Sequence, residues 1–277
     1  INRRWNLGLG SYSEPDAEGT LPETMIYAFD TGSSVSPQTP TAASAPALRD
    51  WFDKTGILVS RPAPGSSCRM GVVLKGGNNG ETHNHNDVGS YVVVVGKSPV
   101  LLDPGSERYT ARTFSDRRYE SNVINSFGHP VPRVAGKLQS VGLQARAEIR
   151  KAEFSDAADR LEMEIRSAYE VADLRSLVRT FVYSREEQGS LTVTDQVELS
   201  APQAFGTALI TGGSCRRVED GSLLVQSGED TLRVTIQAGK DPFEVKIEEI
   251  KEDTPLKPVR IGIDLVRNAA YDVGRAG

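Results

Sequence analysis

The sequence predicts an all-β fold, an antiparallel β-sandwich of stacked large sheets with an irregular N-terminal arm. Over most of the chain, apolar residues alternate with polar ones at a period of two, as they do in half-buried strands. Turn-forming segments such as Glu219-Asp220-Gly221 separate these stretches at short intervals. No apolar pattern with the helical period of about 3.6 residues competes with this alternation. Many short antiparallel strands favour a sandwich or a related stacked-sheet architecture.

The first 46 residues are predicted to form the arm and a linker. The stretch 31–46 is rich in Ser, Pro and Thr and has few apolar residues to offset the entropy of ordering, which favours a linker or a long mobile loop. Residues 47–277 are predicted to form the β-sandwich domain. This domain is expected to begin with a short helical turn containing Leu48, Trp51 and Phe52, followed by a first strand at 57–59.

Further strands are predicted along the rest of this domain. Two of them, 91–95 and 100–102, are apolar on both faces, as expected for strands deep inside a sandwich. The other predicted strands, which alternate or are continuously apolar, cover residues 70–74, 161–169, 177–183, 191–199, 232–236, 243–247 and 259–265.

Composition excludes several classes of function. The chain has 277 residues, 32 basic and 37 acidic, and this near balance argues against a nucleic-acid or anionic-membrane partner. No apolar run approaches the roughly 18 residues of a membrane span. The chain begins with Ile1 and carries no signal peptide, which predicts a processed protein or an excised fragment. Cys68 and Cys215 are too few for a disulfide framework and are expected to be free thiols.

The stretch 76–105 is the predicted functional centre. It holds His83 and His85, two of the three histidines of the chain. On an extended strand these residues point to the same side, and Asp87 continues that face. A polar trio followed by an apolar hairpin is typical of a site mounted on a rigid scaffold.

A metal site is one use of these residues. A His-x-His pair, an aspartate from a neighbouring strand (Asp103) and a third imidazole (His129, in a Gly/Pro loop) suit zinc or another transition metal. The alternative is a pair of surface or hydrogen-bonded histidines. A cupin-type enzyme is disfavoured because Gly89 and Ser90 stand where its glutamate ligand is expected.

Three segments carry a family resemblance. His83-Asn84-His85-Asn86-Asp87-Val88-Gly89-Ser90-Tyr91, Leu101-Leu102-Asp103-Pro104-Gly105 and the upstream Gly56-Ile57-Leu58-Val59-Ser60-Arg61 together resemble the heparinase II/III-like polysaccharide lyases. In that family the region belongs to a C-terminal antiparallel β-sandwich that follows a large helical toroid. The resemblance implies that this chain is the β portion of a longer enzyme, whose toroid is its partner domain.

The resemblance also implies a reaction and a compartment. The family cleaves acidic, uronic-acid-containing polysaccharides by β-elimination, in which a base removes the proton alpha to the carboxylate and an acid protonates the leaving oxygen. The isolated chain is therefore expected to be inactive, since the toroid would supply the rest of the active site. Heparin-like and alginate-like substrates both remain open. Such substrates imply a periplasmic or secreted protein.

Carried over residue by residue, the resemblance divides the roles of the histidines. His83 resembles a catalytic or substrate-neutralising residue, whereas His85 and Asp103 resemble ligands of a structural zinc. Relatives commonly take the third ligand from a His-Asn pair, but Ile124 stands where that histidine is expected, which leaves His129 as the candidate. A bulge or turn at Asn84 would let the two neighbouring histidines face different ways.

A tyrosine can serve as acid or base in such lyases. Tyr119 resembles the β-domain tyrosine that precedes the third metal ligand, and Tyr109 is the weaker candidate; either could instead be a core or rim aromatic. Asp87 is expected either to accept a hydrogen bond from a histidine or to bond at a strand end.

Four more residues are candidates for substrate binding. Arg118, with its neighbour Arg117, could pair with a carboxylate or sulfate, or could lie on a solvated loop. Asn78 and Asn79 could bond sugar hydroxyls, or could simply form a turn. Two other functions stay open at this point, a non-catalytic carbohydrate-binding sandwich and a metal-stabilised structural domain.

Overall fold

The structure, a computed structural model, describes residues 47–266. The predicted arm and linker at 1–46, and the last residues of the predicted domain, lie outside this range. Within it, the helical segments are 3-10 turns at Arg118–Glu120, Ser126–Gly128 and Arg166–Ala168. None of them is long enough to cross a membrane.

Strands account for nearly all of the regular structure. They are β1 (Arg49–Phe52), β2 (Ile57–Ser60), β3 (Met70–Lys75), β4 (Asn78–Asn79), β5 (Tyr91–Val95), β6 (Ser98–Leu101), β7 (Arg133–Val134), β8 (Gly142–Arg146), β9 (Glu148–Phe154), β10 (Ala158–Glu164), β11 (Leu174–Ser184), β12 (Ser190–Leu199), β13 (Phe205–Thr211), β14 (Ser214–Arg217), β15 (Leu223–Ser227), β16 (Asp230–Val234), β17 (Phe243–Glu249) and β18 (Val259–Leu265). The predicted all-β class is confirmed.

The strands pair antiparallel in several sheets. The largest has the order β1-β2-β3-β5-β6, and two four-stranded sheets have the orders β12-β11-β10-β9 and β17-β18-β13-β7. Smaller sheets have the orders β14-β15-β16 and β4-β8. Neighbouring strands in these orders are mostly close in sequence, as expected for a meander of hairpins.

The main core contains apolar side chains from the largest sheet and from the β9–β12 sheet. Leu58, Leu74, Leu161 and Phe181 are fully buried in one cluster. Tyr91 of β5 meets Phe181 of β11 edge to face, with ring centroids 5.6 Å apart. Each strand supplies alternate residues to this core, which is the origin of the period of two in the sequence.

The predicted helical turn near Trp51 is wrong. Residues 49–52 form β1, in which Trp51 pairs with Leu58 across a tight hairpin. Gly56 has a φ of +63° in that hairpin, a conformation that glycine adopts without strain. The Trp51 ring also packs against Phe154, with centroids 5.8 Å apart. Pairing and burial therefore outweigh the apolar spacing that favoured a helical turn.

Strands β8 and β9 are absent from the sequence-based prediction. Most residues of β9 are exposed, and β9 is an edge strand that pairs only with β10 in its sheet. Charged residues such as Arg150 and Lys151 occupy it, as is common on sheet edges. With so little apolar burial on either face, the strand has no clear alternation to detect.

Arg179 of β11 is a buried arginine at the centre of the fold. Its Nε and Nη2 donate to the two carboxylate oxygens of Asp195, each at 2.7 Å. Nη1 donates to the carbonyls of Gly89 at 2.9 Å and Pro130 at 2.7 Å, and Nη2 also donates to Thr207 Oγ1 at 3.0 Å. The guanidinium thus joins strands of two sheets to two loops.

We expect the substitution Arg179→Leu to lower the free energy of unfolding by about 3–5 kcal/mol, because it leaves Asp195 and two buried carbonyls without their donor. Urea unfolding followed by circular dichroism measures this loss. Arg233→Leu is the matched control, since Arg233 is more than half exposed and pairs with an exposed Asp220. Equal effects of the two substitutions would contradict the assigned role of Arg179.

Candidate active site and metal centre

The segment 76–90, which carries both neighbouring histidines, is a loop between β3 and β5. Apart from the two-residue β4 it is not a strand, so the predicted common face for His83 and His85 is wrong. His83 has a φ of +57°, in the left-handed region, and its side chain is exposed. His85 is half-buried. The change in chain direction that separates the two histidines therefore occurs at His83, one residue before the predicted turn at Asn84. Asn84 itself is buried.

Buried amides hold this loop in shape. Asn79 donates through Nδ2 to Gln139 Oε1 at 3.1 Å and to the Ser140 carbonyl at 2.8 Å, and its Oδ1 accepts from the Asp87 amide. Asn84 donates to the Asn79 carbonyl at 3.0 Å. These bonds supply the backbone partners that a strand would have supplied.

Gln139 is the centre of this network. Its Oε1 accepts from the Val88 amide at 3.0 Å, and its Nε2 donates to the Val88 carbonyl at 2.8 Å and to Tyr169 Oη at 3.2 Å. Its carbonyl accepts from Asn86 Nδ2. Gln139 is 4% exposed, and both the oxygen and the nitrogen of its side-chain amide are hydrogen-bonded to the loop, so it fixes the loop in place. Sequence reasoning missed it, because one glutamine in a turn-rich segment carries no pattern.

The predicted substrate-binding residues occupy different environments. Arg118 donates from Nη2 to the Asn84 carbonyl at 2.9 Å and from Nη1 to the Thr113 carbonyl at 3.0 Å, so its guanidinium braces the histidine loop. Arg117 is exposed and pairs with Glu120. Asn78 is half-buried, and its Oδ1 accepts from the Gly80 amide. Asn79 is 1% exposed.

The structure brings together His85, Asp103 and His129. One potential ligand atom from each lies within 4.8 Å of the others. His129 Nδ1 lies 2.7 Å from Asp103 Oδ2, and the imidazoles of His85 and His129 meet edge to face with centroids 5.3 Å apart. Among the described residues this is a possible metal-binding cluster, and its two imidazoles and one carboxylate are ligands that transition metals accept.

The protonation of His129 follows from its partners. Nε2 lies 3.1 Å from the Val123 carbonyl, which can only accept, so Nε2 carries a hydrogen. Burial disfavours the imidazolium, but the Asp103 carboxylate nevertheless raises the pKa of His129. Burial likewise disfavours the charged carboxylate, while His129 holds the pKa of Asp103 below its ordinary value. The two directions agree, because each side chain favours the charged form of the other.

The pKa of His85 is shifted in the opposite direction to that of His129. Burial and the neighbouring His129 lower the pKa of His85 to about 4, despite the opposing effect of Asp103. A neutral imidazole keeps a lone pair on one ring nitrogen, as metal ligation requires. Asp87, predicted as a possible partner of a histidine, accepts from Lys75 Nζ at 2.5 Å. Burial raises the pKa of Asp87, and His129 and Lys75 oppose that rise.

The two candidate tyrosines are placed differently. Tyr109 is 49% exposed and stacks on His83, with ring centroids 6.4 Å apart and planes inclined by 8°. Tyr119 is half-buried and packs against a second apolar cluster that includes Val123 and Ile124. Ile124, which occupies the position where a histidine is expected, is 1% exposed in that cluster.

Comparisons with known proteins agree with this architecture. Residues 45–254 match the sequence family described as heparinase II/III-like, C-terminal. A heparinase III gene product of solved structure superposes with a TM-score of 0.63 and 16% identity over 81% of this chain and 34% of its own. Heparan sulfate lyase HepC from Pedobacter heparinus superposes with a TM-score of 0.62 and 15% identity, over 81% of this chain and 35% of its own. A search of curated protein sequences returns no match.

The chain belongs to the heparinase II/III-like family, within its C-terminal domain, as the resemblance predicted. The two solved structures share its fold, and the chain spans about a third of their length.

The role of Gln139 generates a pH-dependent prediction. The substitution Gln139→Glu keeps the shape but places a carboxylate oxygen against the Val88 carbonyl, so the pKa of the new carboxyl in the folded state should be raised above its unfolded value. Above the folded-state pKa, the substitution should lower the free energy of unfolding by about 3 kcal/mol. This loss should shrink as the pH falls toward the pKa of the carboxyl in the unfolded state. Unfolding in urea at several pH values measures it. Gln196→Glu, on the exposed face of β12, should show no such pH dependence.

Proposed function

We propose that this chain is the β-sandwich part of a polysaccharide lyase that cleaves uronic-acid-containing glycans by β-elimination. The observation that carries the proposal is the position of His83, which is exposed on a left-handed turn while its loop is held by buried amides and Arg118. Such a side chain can contact a large ligand without losing its own placement. The membership of the chain in the heparinase II/III-like family supplies the reaction class.

In this proposal His83 and Tyr119 are the catalytic residues. A β-elimination needs a base for the proton alpha to the uronate carboxylate and an acid for the leaving glycosidic oxygen. An imidazole and a phenol can fill these roles, and His83 can alternatively neutralise the carboxylate. Tyr109, stacked on His83, is the second candidate for the tyrosine.

Substrate binding is proposed for Asn78, Asn79 and Arg118. Asn78 is the most direct candidate, because its Oδ1 accepts from Gly80 and its Nδ2 makes no hydrogen bond to another described residue. Asn79 and Arg118 donate to protein carbonyls, which favours an effect on substrate through the shape of the loop.

We also propose that His85, Asp103 and His129 bind zinc. The donor set fits, because the pKa of His85 is lowered to about 4 and because Nε2–H of His129 is held by the Val123 carbonyl, which leaves Nδ1, beside Asp103, as the nitrogen that would release its proton and bind the metal. When bound, zinc would supply a structural cross-link between the loops that carry these ligands.

The partner proposed for this chain is a helical toroid in the same full-length protein, with an acidic polysaccharide bound between them. The proposal is supported by the length of the solved relatives, about a third of which this chain spans. The isolated chain should then have little or no activity. A periplasmic or secreted location follows from the proposed substrate.

Zinc binding is tested by elemental analysis of the purified chain and by its melting temperature. We expect about one equivalent of zinc and a lower melting temperature after chelation, because the metal binds only the folded state. Asp103→Ala and His129→Ala should each lose most of the zinc. His83→Ala is the matched control and should retain it. Zinc content unaffected by Asp103→Ala and His129→Ala would contradict the ligand set.

The lyase proposal is tested in the full-length protein, by the ultraviolet absorbance of the unsaturated product on uronide glycans. His83→Ala and Tyr119→Phe should each lower kcat by about 10²-fold to 10⁴-fold, the range for loss of a general acid or base. Their melting temperatures should stay near that of the unmodified protein, since neither side chain makes a polar contact with residues 47–266. Unchanged turnover in His83→Ala would instead favour a non-catalytic carbohydrate-binding domain.

A further inference from the structure

A cleft of about 440 Å³ opens beside the start of the histidine loop. Its lining comes from three places in the chain, namely the β1–β2 turn, the Gly77-Asn78 segment and β8. The volume is within the range of small-ligand sites. The side chains that line it include Lys54, Asn78, Leu143, Gln144 and Arg146.

The polar groups of the cleft are mainly hydrogen-bond donors. Lys54 is exposed, and its ammonium makes no ion pair within the described range. Arg146 is 52% exposed and makes only a loose contact with Glu148, at 3.5 Å. Asn78 and Gln144 add amide groups, and the Oδ1 of Asn78 is already used by Gly80. Two cations and the free amide hydrogens of Asn78 therefore point to a ligand that accepts hydrogen bonds and carries negative charge.

Acidic side chains stay at the margin of the cleft. The lining contains two cations and no carboxylate. Glu148 lies outside the lining, beyond Arg146. The Glu81 carboxylate lies near Gly77, where a side chain built on the glycine would come within 3.3 Å of its Oε1.

The backbone beside the cleft is tightly packed. Gly56 and Gly76 approach so closely that a Cβ on Gly76 would lie 3.2 Å from the Gly56 carbonyl. Gly56 and Gly77 both have positive φ, so glycine is needed there for the backbone as well as for the space. Leu143 is 64% exposed at the rim and offers an apolar surface to a sugar ring. The site is thus amphipathic, as a ring with an acidic substituent requires.

We infer that this cleft is a second saccharide subsite, which binds an anionic sugar of the glycan through Lys54 and Arg146. The sugar carboxylate or sulfate pairs with the two cations, Asn78 and Gln144 bond to hydroxyls, and Leu143 contacts the ring face. Asn78 lies five positions before His83 in the chain, so the subsite adjoins the same loop. The inference rests on the proposed function for the class of ligand, an acidic glycan, but it requires no catalysis by this chain.

Binding by the 277-residue chain tests it directly. Isothermal titration with a hyaluronan hexasaccharide, a heparan sulfate hexasaccharide and neutral cellohexaose compares carboxylate, sulfate and uncharged ligands. We expect the acidic hexasaccharides to bind and cellohexaose to bind at least about tenfold more weakly, with the affinity for the acidic ligands falling as salt rises. Equal affinity for cellohexaose, or no binding of either acidic hexasaccharide, would overturn the subsite.

The variant that tests the residues is Lys54→Ala combined with Arg146→Ala. It should weaken binding of the acidic hexasaccharides about tenfold or more, while the melting temperature stays unchanged because both side chains are exposed. The matched control, Lys246→Ala with Arg233→Ala, removes the same charge from exposed positions on other sheets and should bind as the unmodified chain does. Equal loss in both double variants would show a general charge effect and overturn the site. Arg146→Glu, which reverses one charge, provides an independent variant.

The two proposals can fail separately. Loss of binding in the cleft variant, together with full turnover of His83→Ala in the full-length protein, would retain the subsite and refute the lyase role. Loss of turnover in His83→Ala, together with unchanged binding in the cleft variant, would refute the subsite alone.

Discussion

The buried guanidinium of Arg179 is the interaction on which the geometry of the candidate site depends. Asp195 neutralises it from the adjacent strand, which leaves Nη1 for the carbonyls of Gly89 and Pro130. These carbonyls end the two segments that carry His85 and His129. The distance between the imidazoles of His85 and His129 therefore depends partly on the Arg179–Asp195 ion pair in the β9–β12 sheet. A lysine could not replace this arginine, because the planar fork fixes the directions of all these bonds at once.

The histidine loop shows how an irregular segment can be buried beside a core. The amides of Asn86, Asp87 and Val88 find acceptors in the Ile124 carbonyl, Asn79 Oδ1 and Gln139 Oε1 respectively. Because these buried donors are satisfied, the loop does not need a strand partner to avoid an energetic penalty. That freedom lets the chain enter the left-handed region at His83 and expose the tip of the loop, residues 80–83. The loop thus combines a rigid base with an accessible tip.

The sequence predicted the fold class because strands such as β3 and β5 bury alternate or continuous apolar residues in one core. It also predicted that Asp103 and His129 lie close to His85, since the chain has only three histidines and His129 is in a loop after Asp103. It failed at 76–90, where alternation of polar residues resembles a strand but the backbone bonds are made by side-chain amides. Arg179 and Gln139 could not be identified, because a lone polar residue in a sequence carries no sign of its burial. The roles of His83 and Tyr119 stay predictions.

The cluster of His85, Asp103 and His129, of which only His129 is fully buried, lies in the same loop region as the exposed His83. His129 Nδ1 lies 2.7 Å from Asp103 Oδ2, so a hydrogen bond joins these two side chains. The proposed zinc would supply positive charge at this position and would accept His85 as a further ligand. The contact between Nε2–H and the Val123 carbonyl, at 3.1 Å, orients His129 and would not need to change on zinc binding. Because His85 lies two residues from His83, the proposed zinc would be linked to the exposed histidine through this short stretch of loop.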